Sequence, residues 1–292
     1  MPTPFLRRSP SPSVADLRKN DLEVRIGSVT LPNPVMTASG TAGHADELAR
    51  YMDLASLGAV VVKSLLPEPW PGNEPPRLHA TDGGMFNRVG LQGPGIEAWL
   101  DHDLPRLLKT GARVVASIWG RSVEEYEKGA SMLSWAPAEV VAVEVNLSCP
   151  NTHAGRALFA HDERATEEVM DATAAANRPR WAKLSPNTDR IVDVAAAARR
   201  GGAEAVTLIN TVFAMAGGRP GGLSGPAIHP VATRVVADVH EAHPDLPVIG
   251  VGGVRDARTA RNLLDTGATA VQVGTATFAD PRAAAKVLEG LT

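Results

Sequence analysis

Val140-Val-Ala-Val-Glu-Val-Asn-Leu-Ser-Cys-Pro-Asn151 joins an apolar run to a polar hexapeptide, and the rest of the chain is organised around this stretch. Residues 140–145 are typical of a strand buried on both faces. Pro150 lacks a backbone N–H and favours an extended Cys149, so the strand is predicted to end in the hexapeptide. The only cysteine of the protein therefore follows a strand end.

The side chains of this hexapeptide suit chemistry on a planar, polar ring. The amides of Asn146 and Asn151 donate and accept hydrogen bonds without adding charge. The thiol of Cys149 is a candidate nucleophile or proton-abstracting base. A buried structural cysteine is the alternative, because free cysteine is often buried.

Short apolar runs similar to residues 140–145 recur along the chain and alternate with loops and helical patterns. Eight such units predict a (β/α)8 TIM barrel, and a doubly wound open sheet is the structural alternative. Residues 22–31 alternate weakly around Gly27, which predicts a short N-terminal β-hairpin before the barrel. The predicted barrel strands are residues 35–38, 59–63, 113–118, 140–146, 180–184, 205–210, 247–251 and 269–274.

Helices and loops are predicted between these strands. Residues 44–57 have the apolar spacing of a helix, and residues 256–266 follow an aspartate N-cap. Asp280-Pro281 is predicted to open the last helix, and Gly290 to close it. Residues 64–95 and the segment after Asn210 are rich in glycine and proline, so both are predicted to be long functional loops.

Composition limits the classes of protein to which the chain can belong. It has 292 residues, a net charge of -3 and one cysteine. No basic field indicates nucleic acid or an anionic membrane as a partner, and no apolar stretch is long enough to span a bilayer. A single cysteine excludes an intramolecular disulfide, which favours a cytoplasmic protein. Residues 1–20 are predicted to be a loosely ordered tail and residues 21–292 a single domain. No metal-ligand spacing is present.

Polar side chains and glycines stand where the predicted strands end. A barrel has its active site there, and its last two loops commonly bind phosphate. A tight turn is the alternative for each glycine pair. A lysine beside a flavin stabilises the charge of the reduced ring, and a solvated lysine is the alternative. These strand-end residues are Lys63, Ser64, Asn146, Lys183, Asn210, Thr211, Gly252, Gly253, Gly274 and Thr275.

Further motifs accompany the hexapeptide. In order along the chain they are Asn33-Pro-Val-Met-Thr-Ala-Ser-Gly40, Glu68-Pro-Trp-Pro-Gly-Asn73, Asn87-Arg-Val-Gly-Leu-Gln92, Ala182-Lys-Leu-Ser-Pro-Asn187, Leu208-Ile-Asn-Thr211, Gly221-Gly-Leu-Ser-Gly-Pro226, Val251-Gly-Gly253 and Val273-Gly-Thr275. With these motifs the chain resembles the FMN-binding catalytic subunit of class 1 dihydroorotate dehydrogenases. The hexapeptide and residues 221–226 resemble subclass 1B more than 1A.

The resemblance implies a set of roles for individual residues. Cys149 would take the proton from C5 of dihydroorotate while hydride passes from C6 to flavin N5. FMN would be held by Ala38, Ser39, Lys63, Ser64, Asn146, Lys183, Gly225, Gly252, Gly253, Gly274 and Thr275. The substrate would be bound by Lys63, Asn87, Val89, Gly90, Leu91, Asn146, Asn151, Asn210 and Thr211.

Three features of the chain depart from the family pattern and leave a second enzymatic reading open. The segment between Asn210 and Gly221 is shorter, Gly93 stands where asparagine is usual, and Arg88 adds a charge inside a substrate motif. The alternative substrate is another dihydropyrimidine or a specialised metabolite. A flavin-binding scaffold without turnover is the non-enzymatic alternative.

The resemblance also implies partners. One cysteine cannot ligate an iron–sulfur cluster, and the chain has no dinucleotide fingerprint. Subclass 1B resemblance implies a second subunit that carries FAD and a [2Fe–2S] cluster and passes electrons to NAD. A homodimer of the catalytic chain is a separate expectation. Fumarate or another small oxidant is the alternative electron acceptor.

Overall fold

Eight parallel strands form the central sheet in the computed structural model, which describes residues 22–148 and 158–292. Each observed strand lies within its predicted range, so the eight sequence predictions are confirmed with small changes at the ends. The barrel strands are β3 (Val35–Thr37), β4 (Val60–Val61), β7 (Val114–Ile118), β8 (Val140–Asn146), β9 (Arg180–Lys183), β10 (Ala205–Leu208), β13 (Val248–Val251) and β14 (Ala270–Val273).

The order of these strands distinguishes a barrel from an open sheet. Sequential strands are neighbours from β4 through β7, β8, β9, β10, β13 and β14 to β3. The first and last strands of this series then meet, since Met36 bridges Ala59 and the Gly58 N–H donates to the Val35 carbonyl at 2.8 Å. The sheet has no reversal of strand order, so the (β/α)8 barrel is confirmed and the doubly wound alternative is wrong.

Helices lie against the outside of the sheet and bury its apolar outer face. The longer helices present a stripe of buried side chains to the barrel; in the helix Ile191–Arg200, for example, Ile191, Val194 and Ala198 are buried. The helices are α1 (Ile96–Ala98), α2 (Leu104–Leu108), α3 (Val123–Leu133), α4 (Glu163–Ala172), α5 (Ile191–Arg200), α6 (His229–Ala242), α7 (Ala257–Asp265), α8 (Ala276–Ala279) and α9 (Ala283–Leu291); a π-helical turn, Trp99–Asp103, joins α1 to α2.

The predicted N-terminal hairpin closes the amino-terminal end of the barrel. Its strands, β1 (Val24–Ile26) and β2 (Val29–Leu31), pair in an antiparallel manner across Gly27, whose φ is +60°. Ile26 and Leu31 are fully buried against barrel residues that include Trp181. The hairpin therefore covers one end of the barrel and leaves the carboxyl end for the functional site.

The two segments predicted as irregular loops are instead partly ordered as a second sheet, so that prediction was wrong. They contribute β5 (Leu78–Thr81), β6 (Gly84–Asn87), β11 (Val212–Ala216) and β12 (Arg219–Ser224), which pair antiparallel in the order β11-β12-β6-β5. A Cβ on Gly221 would overlap the Asn87 carbonyl and the Phe86 ring. Glycine is present there because the strands approach closely, and this same composition hides the strand pattern in the sequence.

Two helix predictions also need correction. Residues 44–57 form two 3-10 turns, Glu47–Arg50 and Leu54–Ser56, because Asp53 is extended and its side chain accepts the Ala55 N–H at 3.0 Å. The last helix begins at Ala283 rather than at Asp280-Pro281, and Gly290 lies inside it. A Cβ on Gly290 would come within 2.7 Å of Ala257, so this glycine serves the packing of α9 against α7. Over residues 22–148 and 158–292, no helix has the length and hydropathy needed to cross a membrane.

Candidate active site

Every predicted site residue that the structure describes lines one cavity at the carboxyl end of the barrel. Cys149 and Asn151 lie outside the described residues. The cavity wall includes the predicted residues Ala38, Ser39, Lys63, Ser64, Asn87, Val89, Gly90, Leu91, Asn146, Lys183, Asn210, Thr211, Gly225, Gly252, Gly253, Gly274 and Thr275. Residues from all parts of the chain converge here because a parallel barrel brings its strand ends to one face.

Glycines form one end of this cavity, after β12, β13 and β14. Gly252 and Gly253 have φ values of +138° and +70°, which favour glycine strongly. A Cβ on Gly253 would lie 2.7 Å from the Cβ of His229 and 2.9 Å from the Gly225 carbonyl oxygen. The backbone at Gly252 and Gly253 can therefore approach a ligand closely, as phosphate-binding loops require. Helix α8 follows directly after the glycine loop of β14.

Amide and hydroxyl groups form a connected chain in another part of the cavity wall. Asn210 donates from Nδ2 to Asn146 Oδ1 at 3.1 Å, and Asn146 Nδ2 lies 3.4 Å from Ser64 Oγ. The Tyr126 hydroxyl donates to the Asn146 carbonyl at 2.6 Å, which ties the end of β8 to α3. These contacts fix the orientation of two amides that face the cavity.

A third amide reaches the cavity from the second sheet rather than from the barrel. Asn87 ends β6, and its Nδ2 donates to the Gly222 carbonyl of β12 at 3.2 Å. The backbone that follows is held by Trp70, whose Nε1 donates to the Gly90 carbonyl at 3.0 Å. Leu91 has a φ of +60°, so the backbone turns sharply beside the cavity. The antiparallel sheet is thus a structural support for part of the site.

The two lysines differ in their surroundings. Lys183 is only 4 % exposed, so the alternative of a solvated lysine is wrong for this residue. Its Nζ lies 3.2 Å from Ser39 Oγ and 3.5 Å from Glu144 Oε1. Lys63 is less buried. Burial of the His44 imidazole lowers the pKa of this residue, and the charge of the nearby Lys63 lowers it further.

Several cavity residues were not predicted from the sequence. Ser148 belongs to the hexapeptide, and its Oγ is buried without a hydrogen-bond partner among the described residues. Ser224 Oγ accepts from Thr275 Oγ1 at 2.8 Å and so joins β12 to the loop after β14. Both belong to motifs given above, which was the available signal, and the same is true of Gly40, Ile209 and Val251. The others, Thr41, Leu78, Met85, Ile228 and Phe278, lie outside those motifs.

The departures from the family pattern at positions 88 and 93 stand next to residues of the cavity wall without lining the cavity themselves. Arg88 Nη1 donates to the Glu74 carbonyl at 3.3 Å, and Gly93 packs near His44 and pairs with the Trp70 backbone. Neither residue is part of the cavity wall described above. Within the described ranges, no three His, Cys, Asp or Glu side chains come together in a way that could hold a metal ion.

Comparison with known proteins gives a consistent result. The family model described as dihydroorotate dehydrogenase matches residues 21–292. A curated protein of Alkaliphilus oremlandii, named dihydroorotate dehydrogenase B (NAD(+)) catalytic subunit, is 44% identical over 286 residues, with 94% of each chain covered. A protein of the same name from Desulforudis audaxviator is 46% identical over 279 residues, which covers 92% of this chain and 90% of that protein.

The fold comparison agrees. The crystal structure of DHODH from Eimeria tenella in complex with ferulenol superposes with a TM-score of 0.76 and 23% sequence identity. The match covers 94% of this chain and 85% of the other. At this level of identity the likeness concerns the fold alone.

Proposed function

The chain belongs to the dihydroorotate dehydrogenase family, and from this premise we propose how its residues carry out the reaction. Members of the family oxidise dihydroorotate in pyrimidine biosynthesis, and their catalytic subunits bind FMN; this chain is such an oxidoreductase. The observation that carries the residue assignment is the single cavity, where glycine loops, two lysines and three asparagines meet.

FMN fits the chemistry of this cavity. The glycines at 225, 252 and 253 leave space that a Cβ would fill, so backbone groups can contact a phosphate. Lys183 supplies positive charge at the cavity wall, where a reduced flavin ring carries negative charge. Ala38, Ser39, Ser64, Asn146, Gly274 and Thr275 complete the proposed FMN site. Bound FMN would supply the hydride acceptor of the reaction.

The asparagines bind the substrate in this proposal. A dihydropyrimidine presents alternating N–H and C=O groups, and each amide offers one donor side and one acceptor. Asn87, Asn146 and Asn210 already hold fixed orientations through the contacts described above. Thr211, Lys63 and the backbone of Val89, Gly90 and Leu91 would hold the carboxylate. Asn151 and the base Cys149 are assigned from the motif, because they lie outside the described residues.

The test of this function is anaerobic mixing of the purified holoprotein with dihydroorotate. We expect the visible flavin absorbance to bleach within a single turnover, because the substrate delivers its hydride to a bound oxidant. The control is the same mixing with dihydrouracil, which lacks the carboxylate and leaves Lys63 and Thr211 without their partner. Rapid bleaching by dihydrouracil and none by dihydroorotate would replace this function with the alternative dihydropyrimidine activity.

Electron transfer to NAD is proposed to need a second protein. The relatives are named as catalytic subunits, which implies a separate partner subunit. We propose that this partner carries FAD and a [2Fe–2S] cluster, because this chain has one cysteine and a cluster needs several thiolates. We also propose that this chain forms a homodimer and that it is located in the cytoplasm.

With dihydroorotate as the substrate, the isolated chain is therefore expected to reduce an artificial dye but not to reduce NAD. The measurement is steady-state turnover with dye, NAD and fumarate offered in separate assays. The dye assay is the positive control, since it shows that the flavin is reduced and can be reoxidised. NAD reduction at the dye rate would contradict the partner proposal, and fumarate turnover would indicate a 1A-like acceptor instead.

A further inference from the structure

Glu144 is a charged residue enclosed inside the barrel and has no role in the mechanism described so far. It lies in the middle of β8 and is 0 % exposed. Alternate residues of a strand face the same side, so Ala142, Glu144 and Asn146 form one column. Ala142 packs at the closed end with the N-terminal hairpin, whereas Asn146 lines the cavity. Glu144 therefore occupies the layer directly beneath the site.

The contacts of Glu144 are those of an ionised carboxylate. Its Oε2 accepts from Gln272 Nε2 at 2.6 Å and from Thr207 Oγ1 at 3.2 Å. Its Oε1 lies 3.5 Å from Lys183 Nζ. All three neighbours donate hydrogen bonds to the carboxyl group, as expected for a carboxylate, which can only accept them.

Lys183 connects this buried layer to the cavity. Its ammonium faces Glu144 from β8, Gln272 from β14 and Ser39 from the loop after β3, and Glu144 is the only negatively charged group among these contacts. Among the described residues, the other cation that lines the cavity is Lys63, which follows barrel strand β4. Burying a charged group to this extent is costly unless a counter-charge is close, and Lys183 is 4 % exposed.

We propose that Glu144 is a positioning residue that holds the Lys183 ammonium at the cavity wall and at the same time limits how strongly the site favours reduced FMN. The buried pair is neutral overall, so the ammonium stabilises negative charge on the ring while the carboxylate beneath it opposes part of that effect. This inference rests on the proposed function for the identity of the flavin, but the pairing itself is independent of it.

Glu144→Gln is the variant that tests the electrostatic role, since the amide has nearly the same size and no charge. The measurement is an anaerobic titration of bound FMN against a redox dye. We expect the ratio of reduced to oxidised FMN at a fixed dye potential to rise about tenfold or more, because a nearby negative charge has gone.

Thr207→Val is the matched control, since it removes one hydrogen bond to the same carboxylate without changing its charge. We expect its ratio of reduced to oxidised FMN to change less than about twofold. A ratio in Glu144→Gln that is unchanged from the parent protein, or shifted toward oxidised FMN, would overturn the proposal.

A second measurement applies even if Glu144→Gln loses FMN. Denaturant unfolding of the FMN-free protein compares Glu144→Gln, Lys183→Gln and the double variant. We expect the double variant to be more stable than either single variant, because each single change leaves one buried charge unpaired. If the losses in unfolding free energy of the two single variants simply add in the double variant, the pairing is overturned. Failure of the parent protein to bind FMN would instead overturn the proposed function, which this measurement does not use.

Discussion

Cys149→Ala is expected to slow flavin reduction by dihydroorotate by on the order of 10²-fold or more, the usual contribution of a general base. Cys149 itself lies outside the described residues, but the residue before it, Ser148, lines the cavity, and β8 ends at Asn146. The Asn146 amide is held beside that strand end by Asn210. The rate of bleaching in a stopped-flow experiment measures the effect directly, because no later electron acceptor takes part.

The FMN content of Cys149→Ala should equal that of the parent protein, since Cys149 is not among the proposed FMN ligands. Cys149→Ser is the matched variant, and its rate should be intermediate and should rise at higher pH, because a hydroxyl ionises less readily than a thiol. An unchanged bleaching rate in Cys149→Ala would mean that another group removes the proton.

Gly253→Ala is expected to weaken FMN binding by roughly 10- to 100-fold, because relieving the overlap of an added methyl group costs about 1–3 kcal/mol. The added methyl group would meet His229 on α6 and the Gly225 carbonyl at under 3 Å, and both lie at the cavity wall or directly behind it. The glycine loop must then move away from the position that suits a phosphate. Quenching of FMN fluorescence on titration with FMN-free protein gives the dissociation constant.

Gly218→Ala is a closely matched control for this change. Gly218 has a φ of +73°, almost the same as the +70° of Gly253, but a Cβ there would have nothing within 4 Å. Both variants carry the cost of an alanine at positive φ, whereas only Gly253→Ala crowds the cavity. Equal FMN affinity in the two variants would contradict the assignment of residues 252–253 to the phosphate.

The barrel could be predicted because its signals are local. A strand buried on both faces is a short apolar run, and Val140–Asn146 was recognised with its observed bounds. The end of each strand is marked by a change to polar residues or glycine, which is why Lys63, Asn210 and Gly252 were placed at the site without knowledge of distances. The mutual position of these residues follows from the parallel arrangement alone.

The second sheet and two helix boundaries could not be predicted, for a different reason. β12 contains Pro220, Gly221 and Gly222, which have low strand propensity, and it forms because β6 and β11 are present on either side. Residues 44–57 have helical spacing but do not form one helix, because the Asp53 side chain accepts a hydrogen bond from the local backbone and divides the segment. Tertiary pairing and local capping each outweighed the propensity of the segment.

The sequence was enough to place the barrel strands along the chain and to identify the kinds of group at their ends, since both depend on neighbouring residues in the chain. The order of the strands in the sheet and the contact between Glu144 and Lys183 depend on the tertiary structure, because these two residues are 39 positions apart and belong to adjacent strands whose register sets the contact. In the sequence, Glu144 is one polar residue within an apolar run. The role of Glu144 depends on which face of β8 points into the barrel, and closure of the barrel determines that face.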